Sequence, residues 1–218
     1  MELLDEVLNI KGDFKIRLGM INPNFALKYL DRLIKVYKNE KMFKFLHVPV
    51  QSGNNRILKL MRRKYTVEDY KKIVSRFKKE IPDITVSTDI ICGFPSETEE
   101  EFLDSFNLIK ETKPDILNIN MFWPRPKTEA AKMKQIPSWK IKERTRKLTK
   151  LFHRIALEQN KKWIEWNGEI IIDGYGKNNT SVGRNYAYKQ VVLKGKYKFG
   201  EKVKVEISKA TKFDLRAI

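Results

Sequence analysis

The residues of this 218-residue chain best suited to chemistry stand where hydrophobic runs stop. "FLHVPVQSG" (45–53) reads as a buried strand, interrupted by Pro49 and closed by Gln51 and Ser52. "ITVSTDIICGF" (84–94) leads into Pro95, and "ILNINMFWP" (116–124) carries Trp123 and is followed by Arg125. An amide and a hydroxyl offer neutral donors and acceptors, while a guanidinium grips carboxylate or phosphate with two hydrogen bonds. An indole can stack on a base or pack against the rim. His47 reads as a hydrogen-bonded core residue rather than a proton carrier. Cys92 is the only thiol in the chain and reads as a small apolar residue of a buried strand. One thiol cannot supply a set of several thiolate ligands, so no metal-ligand set is expected here.

The surrounding elements must bring these strand ends together. Residues 2–10 have a helical pattern, "FKIRLGMINP" (14–23) reads as a short strand, and Phe25–Asn39 has the spacing of one amphipathic helix. Thr66 with Asp69 opens a further helix with a capping signal, and "SETEEEFLDSFNLIKET" (96–112) begins another, capped and with acids in its first turn. Strands separated by helices of this length imply parallel β/α units, whose chemistry collects at the C-terminal strand ends. Gln51, Ser52, Phe94, Pro95, Trp123 and Arg125 would then share one rim. The expected fold class is α/β, with about four parallel strands in an incomplete TIM-like barrel, since 131 residues are too few for eight units. Ser138–Trp163 reads as one long basic helix. After it, "EIIIDGYG", "YAYKQVVLKG" and "EKVKVEIS", separated by glycines, predict a small all-β barrel. The expected boundaries are 1–137, 138–163 and 164–218, and the first part, having its own core, is expected to fold without the last.

Charge points to the partner. The formal net charge is +18, and residues 132–162 hold eleven Lys and Arg against Glu143 and Glu158, a net of +9. Such an excess implies a polyanion, most often nucleic acid. Lys177, Arg184, Lys189 and Lys196, among Asn and Tyr side chains of segment 177–198, suit phosphate contacts and stacking on exposed bases. No apolar run reaches the roughly 20 residues of a spanning helix, so no membrane partner is expected. A lone cysteine fits a reducing, cytoplasmic setting.

"HVPVQSG", "MRRKYT", "TDIICGFPSETEEEF" and "PRPKTEAAKM" stand in the order and spacing of signatures of the radical S-adenosylmethionine (SAM) tRNA methylthiotransferases, which the whole chain resembles. "RLGMINP" is similar to the archaeal and eukaryotic branch acting on threonylcarbamoyladenosine, and the C-terminal barrel resembles a TRAM domain, an RNA-binding module. The resemblance implies a partial radical SAM barrel followed by that module. It implies conversion of N6-threonylcarbamoyladenosine beside the tRNA anticodon to its 2-methylthio derivative, with SAM and two 4Fe-4S clusters as cofactors. The family's C-x3-C-x2-C triplet and second cysteine set are not in this sequence. The resemblance therefore implies the C-terminal part of such an enzyme, inactive without an N-terminal cluster-binding region. Two alternatives remain: a non-catalytic tRNA-binding protein, and an enzyme acting on isopentenyladenosine. Carried onto this chain, Gln51 and Ser52 suit a SAM ribose or amino-acid moiety, and Gly53 permits close backbone approach. Asp89, Ile91, Gly93 and Phe94 belong to the strand that helps cradle the cofactor. Arg63, Trp123 and Arg125 are implied substrate contacts. Three positions depart from the family pattern: Ser96 and Lys127 stand where glycine is usual, and Glu129 also differs in the second motif.

Overall fold

A computed structural model describes residues 2–218. Its first part contains helices α1 (Glu2–Asn9), α2 (Pro23–Lys28) and α3 (Leu30–Tyr37), then strand β1 (Phe45–His47) and helices α4 (Asn55–Leu60) and α5 (Val67–Glu80). Strand β2 (Thr85–Cys92), helix α6 (Glu99–Thr112), strand β3 (Ile116–Met121) and the short helix α7 (Glu129–Lys132) follow. Strands β1, β2 and β3 form one parallel sheet in that order. Both capping boxes are present, Thr66 with Asp69 on α5 and Thr98 with Glu101 on α6. Each box satisfies two orphan amide donors of a first turn, so these helices start where their sequence says.

The expected fourth strand is reduced to two isolated parallel bridges, Ile16 to Met42 and Met20 to His47. The bridges lie four residues apart on one side and five on the other, so an extra residue on the Met42–His47 side breaks the ladder. The helix expected over Phe25–Asn39 is broken at Tyr29, whose ψ of 23° leaves the helical region. Pro49 ends β1 early, yet the chain rejoins the sheet at Gln51, bridged to Ile90.

Helix α8 (Ser138–Lys161) leads into a closed barrel of five strands: β4 (Asn167–Tyr175), β5 (Thr180–Arg184), β6 (Gln190–Lys194), β7 (Lys202–Ala210) and β8 (Leu215–Ala217). The sequence showed three of these. β5 lies in the polar stretch between the first two of those runs, and β8 has three residues, too few to show an alternation. The barrel has its own apolar cluster around Ile170, Ile172, Val191 and Ile207, which also takes in Trp163.

The barrel sits under the sheet, at the N-terminal ends of its strands. The amide of Lys44, just before β1, donates to the Tyr186 carbonyl at 2.8 Å. Asp83, before β2, accepts from the Tyr186 hydroxyl at 3.1 Å, and Asp115, before β3, pairs with Lys189 at 2.7 Å. Helix α8 spans the full height. Near its start Ile141 packs on Gly93 after β2; near its end the Asn160 side chain donates to the Thr211 carbonyl.

Candidate active site

At the opposite, C-terminal ends of the strands lies a cleft of about 620 Å³ lined by Gln51, Arg63, Asp89, Ile91, Asn120, Trp123 and Arg125, among others. Gln51 is held by β2 on both sides: its amide donates to the Asp89 carbonyl at 2.8 Å, and its carbonyl accepts from Ile91 at 2.9 Å. Its φ of 71° is left-handed, a conformation that costs a non-glycine residue about 1 kcal/mol or more. Such strain persists only where the surroundings over-determine it, and it clusters at functional sites.

Asp89 is the one carboxylate of the cleft wall described here. Its Oδ1 meets His47 Nε2 at 3.1 Å and accepts from the Asn118 amide at 2.6 Å. Burial alone would raise the Asp89 carboxyl, but these two hydrogen bonds and the His47 imidazole hold it below the usual carboxylate range. Its Oδ2 has no protein partner among the described residues. Arg63 Nε is buried and likewise has none, an unsatisfied charged donor in a site that needs an acceptor. Trp123 is 81% exposed at the lip of the cleft. Together these groups can orient a ligand carrying a carboxylate, an ammonium or hydroxyl donor, and a planar ring.

Four other candidates face elsewhere. Ser52 is fully buried, and its hydroxyl accepts from the Asn54 amide at 3.2 Å. A Cβ on Gly53 would lie 2.5 Å from Ser105 Cα, so this glycine admits the backbone of α6 rather than a ligand. Gly93 has φ 80° and a Cβ there would meet Ile141 of α8 at 2.5 Å. Phe94 is buried edge-on against Phe122, with ring centroids 5.2 Å apart. Asn118 and Asn120 were missed in the sequence, although the alternation "NIN" puts both on one face of β3. Cys92 is fully buried, and burial with the nearby Glu97 pushes its thiol up to about 12. It is inert.

Of the RNA candidates, Lys177 and Lys196 are exposed, and Arg184 is half-buried against Asp173 at 2.8 Å. Lys189 is not exposed. It is buried at the seam between barrel and sheet, bonded to Asp115 and Asn160. A different set is exposed on α8: Lys142, Arg146, Lys150 and Arg154 stand four residues apart with no ion-pair partner among the described residues. They form one ridge with steps of about 6 Å, running from the cleft end of the helix toward the barrel.

Residues 1–109 match the radical SAM superfamily and residues 168–218 the TRAM domain. The chain belongs to the radical SAM superfamily. A probable threonylcarbamoyladenosine tRNA methylthiotransferase of Archaeoglobus fulgidus is 48% identical over 206 residues, which are 94% of this chain and 48% of that protein. The Homo sapiens threonylcarbamoyladenosine tRNA methylthiotransferase is 38% identical over 198 residues, 90% of this chain and 34% of its own length. The chain thus spans about half the length, or less, of the curated relatives it matches. Coproporphyrinogen III oxidase of Escherichia coli, a radical SAM enzyme, shares the fold at a TM-score of 0.54 and 19% identity, over 84% of this chain and 47% of that one. No described helix is long and apolar enough to cross a membrane.

Members of this superfamily use SAM and iron–sulfur clusters. The residues here do not fit a cluster: no group of three or more His, Cys, Asp or Glu among those described is arranged to hold a metal. They do fit an amino-acid nucleoside, because the cleft offers an orphaned arginine donor, a free carboxylate oxygen and an amide. Two of the three departures from the family pattern also find their place. Ser96 and Lys127, where glycine is usual, have φ of 66° and 64°, so both turns keep a left-handed residue. Replacing both with glycine should relieve about 1–2 kcal/mol of strain at each, offset in part by the entropy of the freer unfolded chain. The double variant is expected to melt roughly 2–4 °C higher, for a net gain of about 1 kcal/mol. An unchanged or lower melting temperature would show that these turns do not store strain.

Proposed function

We propose that this chain supplies the SAM- and substrate-facing half of a tRNA methylthiotransferase that converts N6-threonylcarbamoyladenosine beside the anticodon to its 2-methylthio derivative. The observation that carries this reading is the convergence of Gln51, Arg63, Asp89 and Arg125, from four separate sequence motifs, with Trp123 in one cleft. Relatives at 48% and 38% identity bearing that name support it. SAM supplies radical and methyl-transfer chemistry when bound, and the ligands of the two 4Fe-4S clusters would lie outside these residues.

The residues here would bind and orient. Asp89, kept ionised by His47 and Asn118, accepts from a ribose hydroxyl or an ammonium; the Gln51 amide bonds the same moiety. Arg63 and Arg125 take a carboxylate or phosphate, Trp123 stacks on the adenine, and Ile91 walls off water. The α8 ridge and the exposed barrel lysines Lys177 and Lys196 carry the tRNA backbone, in the cytoplasm. The ridge spacing approximates successive phosphates of one strand, and none of its cations forms an ion pair among the described residues.

The test is the salt dependence of tRNA binding by the full chain. Each neutralised phosphate contributes about 0.7–0.9 to the slope of log affinity against log salt. Arg146→Ala with Arg154→Ala should therefore lower that slope by about 1.4–1.8. A slope unchanged by the double substitution removes α8 from the RNA interface.

A further inference from the structure

We infer that the seam between the barrel and the lower edge of the sheet is a second RNA site, which takes one unstacked nucleotide with its phosphate. This rests on the reading of the chain as an RNA-binding protein, but the site lies at the opposite end of the sheet from the cleft. Its nucleotide is an anchor, not the residue that reacts.

The seam encloses a hollow of about 430 Å³. Its lining includes the Tyr188 ring, with the Arg184 guanidinium carbon 4.9 Å and that of Arg17 5.3 Å from the ring centroid. Phe43 meets the same ring edge-on at 4.9 Å. Tyr188 has φ 60°, and its turn is held by the buried Asn185, whose side chain accepts from the amides of Ala187 and Lys189 at 3.1 and 2.9 Å. The ring is therefore fixed by a strained, over-determined turn, as a preformed stacking surface would be.

The charges are unequal. Arg184 is paired with Asp173, and Lys202 with Asp13. Lys15 donates to the Glu40 carbonyl and forms no ion pair among the described residues. Arg17 is exposed and has no hydrogen-bond or ion-pair partner among the described residues, although its guanidinium lies over Phe45 at 5.5 Å as well as over Tyr188. Aromatic and guanidinium planes beside two free cations fit a base with its phosphate. A plain anion would leave the aromatic wall unused, and an apolar ligand would leave the cations unused.

The experiment measures binding of a labelled single-stranded RNA and of tRNA to the full chain and its variants across a salt series. Arg17→Ala should weaken binding about tenfold, the loss of one stacked, charged contact, with an unchanged melting curve because Arg17 is exposed. Arg17→Lys keeps the charge and loses the plane, so it should keep the wild-type salt slope while still binding more weakly. A 5-bromouridine probe should crosslink at Tyr188. Wild-type affinity in both Arg17 variants, or crosslinks only elsewhere, overturns the site while the α8 ridge stands. Full rescue by Arg17→Lys overturns the stacking role. A wild-type chain that binds no RNA overturns this inference together with the proposed function.

Discussion

Replacing Arg144 with Met is expected to destabilise the chain by about 3–5 kcal/mol, because it strands a buried carboxylate. Arg144 and Glu97 side chains are each only 1% exposed, and they meet at 2.7 Å. Glu97 also accepts from the Gly93 amide at 3.0 Å, so the pair ties α8 to the turn that follows β2. Burial raises the Glu97 carboxyl above its ordinary value, against the lowering effect of the Gly93 amide and Arg144. A carboxyl raised in the folded state contributes stability that is full below its unfolded value of 4.5 and is lost as pH rises through the folded value. Removing Arg144 takes away a lowering influence and pushes that value higher still. The deficit of the variant should therefore be largest at pH 8 and shrink toward pH 5, as Glu97 takes up a proton. Urea melts at the two pH values measure this, and a deficit independent of pH would show that Glu97 is not the stranded charge.

Lys189→Met should cost a similar amount, about 3–5 kcal/mol, and should loosen the barrel from the sheet. The Lys189 and Asp115 side chains are 7% and 10% exposed, and Asp115 also accepts from the Val86 amide at 2.9 Å. Removing the lysine leaves this carboxylate buried and half-partnered. A double variant, Lys189→Met with Asp115→Asn, removes both charges and should recover most of the loss. Thermal melts of the single variant should separate into two transitions, one for each apolar cluster. One transition at the wild-type temperature would mean that the pair does not couple the two parts. Deletion of residues 164–218 follows the same logic. The sheet keeps its own apolar cluster, as its sequence implies, but Asp115 loses its partner and Phe45 loses the cover of Tyr188.

Much of this architecture is legible in the sequence because its signals are local. The Thr66 and Thr98 capping boxes start α5 and α6, alternation and a terminal Pro mark β3, and glycine-separated runs announce the barrel. The motif order points to the superfamily, and the polar strand ends point to one rim. Which of those ends faces the cleft was decided only by tertiary packing. Gln51, Asp89 and Ile91 line the cleft, whereas Gly53 and Gly93 make room for α6 and α8, and Ser52 and Phe94 are covered. Lys189 reads as one cation among many in a basic segment, yet a carboxylate 74 residues away takes it out of solvent. Arg144 and Glu97, 47 residues apart, carry no signal that they meet. The reason is physical. Backbone propensity, capping and strand alternation depend on neighbours within a few residues, so they specify an element and its faces. Whether a charge is free or paired, and whether a strand end meets water or a helix, depends on what a distant segment places against it.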